Sequence, residues 1–145
     1  MTVRHLFNTC VKNTEYKGII KISRAFVCTP DRKIQEVIGM IDVCKPRQIF
    51  LSSRSLKHIY DRHIYDKKMP TDFYYIRDNI NLILGYPNRI YQNLPEKKGS
   101  YLFVKNIKVK TYAIVVEIIN TGELEVISAF TTGEKYLEKF TLLWS

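Results

Sequence analysis

Lys110-Thr111-Tyr112-Ala113-Ile114-Val115-Val116-Glu117-Ile118-Ile119, then Asn120-Thr121-Gly122, then Glu123-Leu124-Glu125-Val126-Ile127-Ser128-Ala129-Phe130 is the stretch that decides the fold class. β-Branched and aromatic side chains suit a pleated surface, and Asn-Thr-Gly suits a tight reversal, so the stretch predicts two antiparallel strands. Tyr112, Ile114, Val116 and Ile118 alternate with Ala113, Val115, Glu117 and Ile119. Both sets are apolar near the middle, which predicts a central strand covered by helices on at least one side. Upstream, Tyr101 to Asn106 and Arg89 to Gln92 read as two further strands, joined through Glu96-Lys97-Lys98-Gly99 and through Ile107 to Val109. The four make an antiparallel meander. Downstream, Gly133 to Phe140 reads as a short helix or turn, and Thr141-Leu142-Leu143-Trp144 as a docked apolar tail.

Two helices precede the meander. Thr71 or Asp72 can cap the later one, whose Phe73, Ile76, Ile80, Ile83 and Leu84 recur at helical spacing until Gly85 and Pro87 end it. The earlier one, about Ser53 to Tyr65, follows serines able to accept from the N–H groups of its first turn. At ~100° per residue, Leu56, Ile59, Tyr60 and His63 share an apolar stripe, and Arg54, His58, Asp61, Arg62 and Tyr65 lie opposite. His63 therefore reads as a hydrogen-bonded core histidine or a catalytic one. His58, between Arg54 and Arg62, reads as a solvated histidine or a proton-transfer group beside a phosphate, since histidine exchanges protons near neutrality. The two stand ~140° apart around an ideal helix, so both cannot point squarely into one cleft.

Before these helices, Gln48 to Leu51 reads as a short strand. Gly18 to Ile22 and Glu36 to Ile41 are β-rich candidates, with a helix opening at Asp31 as the alternative to the second, and Leu6 to Val11 carries a weak helix pattern. A length of 145 residues suits one domain with its own core. The net charge of +9 favours polyanionic partners. Residues 1–70 hold 14 Lys or Arg against 6 Asp or Glu, and residues 71–145 hold 9 against 8, so the excess lies in the half that contains the two histidines. Cys10, Cys28 and Cys44 are odd in number and widely spaced, which argues against a disulfide frame or zinc knuckle and for a reducing cytoplasm. Apolar runs are too short to span a bilayer.

With its elements in this order, the chain resembles the phage members of the barnase, EndoU, colicin and RelE (BECR) superfamily of metal-independent RNases. The marks are Ile38-Gly39-Met40-Ile41; Ile49-Phe50-Leu51-Ser52; Leu56-Lys57-His58-Ile59 with Arg62-His63; Ile83-Leu84-Gly85-Tyr86-Pro87 with Arg89-Ile90; Phe103-Val104-Lys105; Tyr112 to Glu117; and Leu124 to Thr132. The resemblance covers about residues 36–140, leaving 1–35 as an N-terminal extension. It implies an α+β fold with helices packed on one face of a curved, mainly antiparallel four- to five-stranded sheet, the other face binding RNA. It also implies cleavage by attack of a ribose 2′-OH on the adjacent phosphate, with neither metal nor cofactor. A neutral histidine takes the 2′-OH proton, a second acid protonates the leaving 5′ oxygen, and cations stabilise the phosphorane. Matched position by position, His58 and His63 are the family's helix histidines, Lys105 its strand lysine, and Ser128 with Thr131 its late hydroxyl pair, although many relatives carry threonine at the Ser128 position. Arg54, Lys57, Arg62, Arg89 and Tyr112 are the expected RNA contacts.

Bland readings stand beside these. Lys105 can be a solvated edge lysine, Ser128 a satisfied buried hydroxyl, Thr131 part of a helix cap, and Glu117 a strand carboxylate rather than a general base. A non-catalytic RNA-binding module of the same fold would use Tyr60, Tyr65, Tyr74, Tyr75, Tyr86, Tyr91, Tyr101 and Tyr112 as stacking faces. A toxin-like enzyme held by an acidic antitoxin or immunity protein would use the same basic surface.

Overall fold

A computed structural model describes residues 1–39 and 46–145. The expected meander forms: β3 (Arg89–Gln92), β4 (Tyr101–Ile107), β5 (Lys110–Ile118) and β6 (Leu124–Thr132) pair antiparallel in sequence. It is the middle of a larger sheet. β1 (Arg24–Cys28) and β2 (Ile49–Ser52) extend one side and β7 (Thr141–Trp144) the other, giving the order β1-β2-β6-β5-β4-β3-β7. β2 runs parallel to β6, so the sheet is mixed, and seven strands replace the expected four to five.

The additional strands are those with the weakest sequence signals. Gly18 to Ile22 forms no strand, and Ile19 is fully exposed. The strand lies six positions further on because Ser53 ties down this segment: its Oγ accepts from the Ser23 N–H (2.9 Å) and donates to the Lys21 carbonyl (2.8 Å). Residues 32–37 take the helical alternative as α2 (Arg32–Val37), capped by Asp31 accepting from the Ile34 N–H. Ile38 caps that helix and Gly39 follows in a turn; Met40 and Ile41, with Cys44, lie outside the described residues. Thr141 to Trp144 pairs with β3, which satisfies backbone groups a merely docked tail would leave to water.

α1 (Val3–Leu6) continues as a wider π-type turn, Phe7–Val11. Leu6, Phe7 and Val11 are buried in the same cluster as α3 and α4 residues, so residues 1–35 supply core and an edge strand rather than an appendage. α3 (Ser53–Asp61) begins where expected, with Ser52 Oγ accepting from the Ser55 N–H at 3.1 Å, and it also ends in a π-type turn, Arg62–Asp66. α4 (Pro70–Gly85) starts at Pro70, which needs no N–H at a first helical position, rather than on a Thr71 or Asp72 cap.

Strand alternation divides the apolar residues into two clusters. Leu56 and Ile59 of α3 and Phe73, Ile76 and Ile80 of α4 bury with Phe103, Ile114, Val116 and Val126. The intervening Leu102, Val104, Ala113 and Val115 bury with Leu137 and Phe140. Leu137 ends the short α5 (Glu134–Leu137), so this second side of the central strands also carries a helix. It is covered incompletely, and a cleft remains.

Candidate functional site

Two elements meet at that cleft. On α3 and its π-type turn, the apolar stripe Leu56, Ile59, Tyr60 and His63 goes into the core, leaving His58 and Arg62 exposed on a neighbouring face. The chain then swings out to Lys67. On β6, Ser128 pairs with Val115 but Val126 pairs with Val116, so Ile127 is an extra residue in the ladder. A bulge of this kind breaks strict alternation and re-aims side chains, and both Ile127 and Ser128 line the cleft. Its volume is about 540 Å³. Leu102, Val115 and Phe140 give it an apolar floor, and Phe130, Tyr136 and Thr132 continue the wall.

A third element completes the rim. The 94–99 loop between β3 and β4 carries Lys97 and Lys98 to the cleft. Buried Asn93 holds this loop: its Nδ2 donates to the Lys98 (2.8 Å) and Gly99 (3.1 Å) carbonyls, and its Oδ1 accepts from the Leu94 N–H (2.9 Å). Gly99 has φ +102°, and a Cβ there would stand 2.3 Å from Val115 Cγ1. Only glycine lets the lysine loop approach the sheet this closely.

The charge of the cleft is one-sided. His58, Arg62, Lys67, Lys97 and Lys98 line it, and none of its described lining residues is acidic. Among the described residues none of these five is paired with a carboxylate, whereas Arg4, Arg24, Arg32, Lys57, Arg77, Arg89 and Lys110 are.

Of the expected catalytic residues, His58, Ser128 and Thr131 border the cleft. Thr131 faces partly away, its Oγ1 donating to Asp72 Oδ2 at the long distance of 3.5 Å. His63 is enclosed, 1% exposed, beside the Phe73 ring and bonded through Nδ1 to the Ile59 carbonyl at 2.9 Å. Since a carbonyl only accepts, Nδ1 carries the proton. Burial lowers the His63 pKa below the ordinary histidine value, partly opposed by that hydrogen bond. Lys105 lies elsewhere, donating to the Tyr86 carbonyl.

The expected RNA contacts divide similarly. Arg62 lines the cleft and Arg54 is exposed outside it. Lys57 is enclosed: its Nζ donates to Asp61 Oδ1 and Thr14 Oγ1, both at 2.7 Å, and to the Glu15 carbonyl. Arg89 is spent on α5, forking onto both Glu134 oxygens (2.6 and 2.8 Å) and reaching the Tyr91 hydroxyl. Tyr112 is buried, stacked on Tyr75 at 5.1 Å. The side chains of these three are committed to contacts within the fold.

No family model matches the chain, and neither a curated protein nor a solved structure matches it. Among the described residues no helix is long and apolar enough to cross a membrane, and no group of three or more His, Cys, Asp or Glu could hold a metal ion. Several cleft residues escaped sequence reading, namely Lys67, Lys97, Lys98, Phe130, Tyr136 and Phe140. Lys97 and Lys98 read in sequence only as part of a connection between strands, and Tyr136 is not among the stacking tyrosines named above. A lysine pair placed just before an unusually close glycine was the available signal.

Proposed function

We propose that the chain is a metal-independent endoribonuclease of the BECR kind, acting at the cleft between α3 and β6. The observation that carries this reading is the convergence of His58, Arg62, Ser128 and Thr131, chosen from distant parts of the sequence, on one cleft whose cations have no carboxylate partner among the described residues. In the reaction, neutral His58 takes the proton of a ribose 2′-OH. The 2′ oxygen forms a bond to phosphorus as the bond to the 5′ oxygen breaks, and the 5′ oxygen leaves with a proton from the imidazolium or from water. Arg62 and Lys67 stabilise the phosphorane charge, and Ser128 donates to a non-bridging oxygen. His63 and Lys105 have no part in the chemistry. The helix arrangement of that superfamily belongs to the same proposal only for α3 and α4, since the short α5 packs on the other side of the seven-stranded sheet.

A second reading, a non-catalytic RNA-binding module, draws on one observation: His58 is the only histidine among the described residues at the cleft. An acidic antitoxin or immunity protein would meet the same cations, and inhibition by such a partner in the cytoplasm fits the enzyme reading. Incubating the protein with tRNA and rRNA in EDTA, beside His58→Ala and His63→Ala, separates these readings. Cleavage leaving 2′,3′-cyclic phosphate ends is expected, reduced roughly 10²–10⁴-fold by His58→Ala. His63→Ala should lower stability and leave the turnover of folded protein near wild type. RNA bound but intact, or undiminished cleavage by His58→Ala, overturns the enzyme proposal.

A further inference from the structure

The lining of the cleft is of two kinds. Part of it is cationic, with His58, Arg62, Lys67, Lys97 and Lys98. Part of it is aromatic. Phe130 and Tyr136 meet edge to face with ring centroids 5.9 Å apart, and Tyr136 and Phe140 lie 5.4 Å apart. Phe140 is buried and supports the other two, whereas Tyr136 is 37% exposed and Phe130 partly so. Neither ring is needed for a simple phosphate site; the Lys139 ammonium lies 4.8 Å from the Tyr136 ring centroid, and the part of each ring left exposed is apolar surface in water.

Such a combination suits one ligand chemistry. A nucleobase is flat and apolar on its faces, and its phosphates sit one sugar away. A base freed from its stack can lie on an aromatic ring while the flanking phosphates reach the cations that line the same cleft. The volume of about 540 Å³ is in the range of small-ligand clefts, roughly 300–1,000 Å³, and suits a nucleotide rather than a helix. A paired base has both faces covered by its neighbours, and double-stranded RNA is read along its backbone and minor groove, which requires no aromatic wall.

We infer that Phe130 and Tyr136 form a base-stacking subsite, so that the substrate is unpaired RNA: a single strand, loop or bulge with one base splayed into the cleft. This rests on reading the cleft as an RNA site. It goes further by specifying which RNA and which residues select it. α5 then has a defined role, since it begins at Glu134, clamped by Arg89, and presents Tyr136 two residues later.

The test is binding, measured by fluorescence anisotropy on a fluorescein-labelled 2′-O-methyl uridine oligonucleotide and on the same strand annealed to its complement. Blocking the 2′ oxygen removes the nucleophile, so cleavage cannot enter the readout. The single strand should bind more tightly than the duplex. Tyr136→Leu and Phe130→Leu keep apolar bulk and charge but remove the ring, and each should weaken single-strand binding roughly fivefold or more. Neither should change the salt dependence, because no phosphate contact is lost. Lys97→Gln with Lys98→Gln should make the salt dependence shallower. Tyr74→Leu, at an exposed aromatic outside the cleft, is the control and should bind as wild type. Because Tyr136 is partly exposed, its variant keeps the test valid if Phe130→Leu fails to fold. Equal affinity for strand and duplex, or wild-type affinity in Tyr136→Leu, overturns the inference even if RNA is cleaved in EDTA. Ring-dependent binding without cleavage supports it while overturning the enzyme proposal.

Discussion

The two flanks of α3 carry the same residue types to opposite ends. His63 is enclosed against Phe73 and bonded to a backbone carbonyl, while His58, five residues earlier, opens onto the cleft. Lys57 and His58 are adjacent in sequence, yet Lys57 is spent on Asp61, Thr14 and Glu15. Angular position around the helix axis, not residue type, decides which group is structural. On the closed flank Lys57 Nζ, both Asp61 oxygens and His63 Nδ1 have fixed partners. On the open flank the cations have none among the described carboxylates, a self-repelling arrangement that a bound polyanion would relieve.

The closed flank should break most severely at Asp61. Lys57 and Asp61 side chains are 7% and 11% exposed, and Asp61 Oδ2 also accepts from the Lys17 N–H at 3.0 Å. Asp61→Ala leaves a buried ammonium without its counter-charge, which destabilises by about 3–5 kcal/mol. Denaturant unfolding should show that loss, and Lys57→Met in the same chain should restore part of it. Equal losses in the single and double variants would show that the Lys17 contact, not the ion pair, holds the segment.

On the open flank the comparable weak point is Gly99. An added Cβ meets Val115 Cγ1 and has to adopt a left-handed backbone, which costs about 1–3 kcal/mol. At ~2–4 °C per kcal/mol, Gly99→Ala should melt several degrees lower. It should also weaken RNA binding, because the loop that moves is the one carrying Lys97 and Lys98. Val115→Ala added to it relieves the clash but not the φ strain. Recovery of RNA affinity in the double variant would assign the effect to loop displacement; unchanged affinity in Gly99→Ala would remove the lysine loop from the site.

These contrasts explain what the sequence discloses. Local periodicity was sufficient for the meander, for the Ser52 cap and for the side of α3 on which His63 is buried, because each depends on neighbours within a few residues. β1 was misplaced by several positions because Gly18 to Ile22 has the stronger β composition, while Ser53, some thirty residues away, holds that stretch in a different shape. Lys57 was expected to contact RNA and Asp61 to lie on the polar face; their burial as an i,i+4 pair depends on the N-terminal segment folding over them. The cleft was half legible. His58, Arg62 and Ser128 could be named singly, whereas Tyr136 and the Lys97–Lys98 loop reach it only through the long-range pairing of β3, β4 and β7 and the Arg89–Glu134 clamp.

The smallest effect sharpens the comparison between the histidines through pH. Burial holds the folded-state pKa of His63 below the unfolded value of roughly 6.5; Lys67 and Arg62 push it the same way, and the Ile59 carbonyl and Asp72 oppose them. The unfolded chain therefore binds the proton more readily than the folded one. It follows that His63 destabilises the fold on acidification: its neutral form is accommodated above the unfolded pKa, and stability falls as pH drops through that value toward the lowered one. The slope from one group is at most about 1.4 kcal/mol per pH unit. His63→Leu removes the titration while the Ile59 carbonyl keeps its backbone partner, the Arg62 N–H. Urea unfolding of wild type and His63→Leu between about pH 7 and pH 5 should therefore show a shallower decline in the variant, whatever its absolute stability. Equal slopes would mean that His63 is hydrated in solution, and the division of α3 into a closed and an open flank would fail at the residue that defines it.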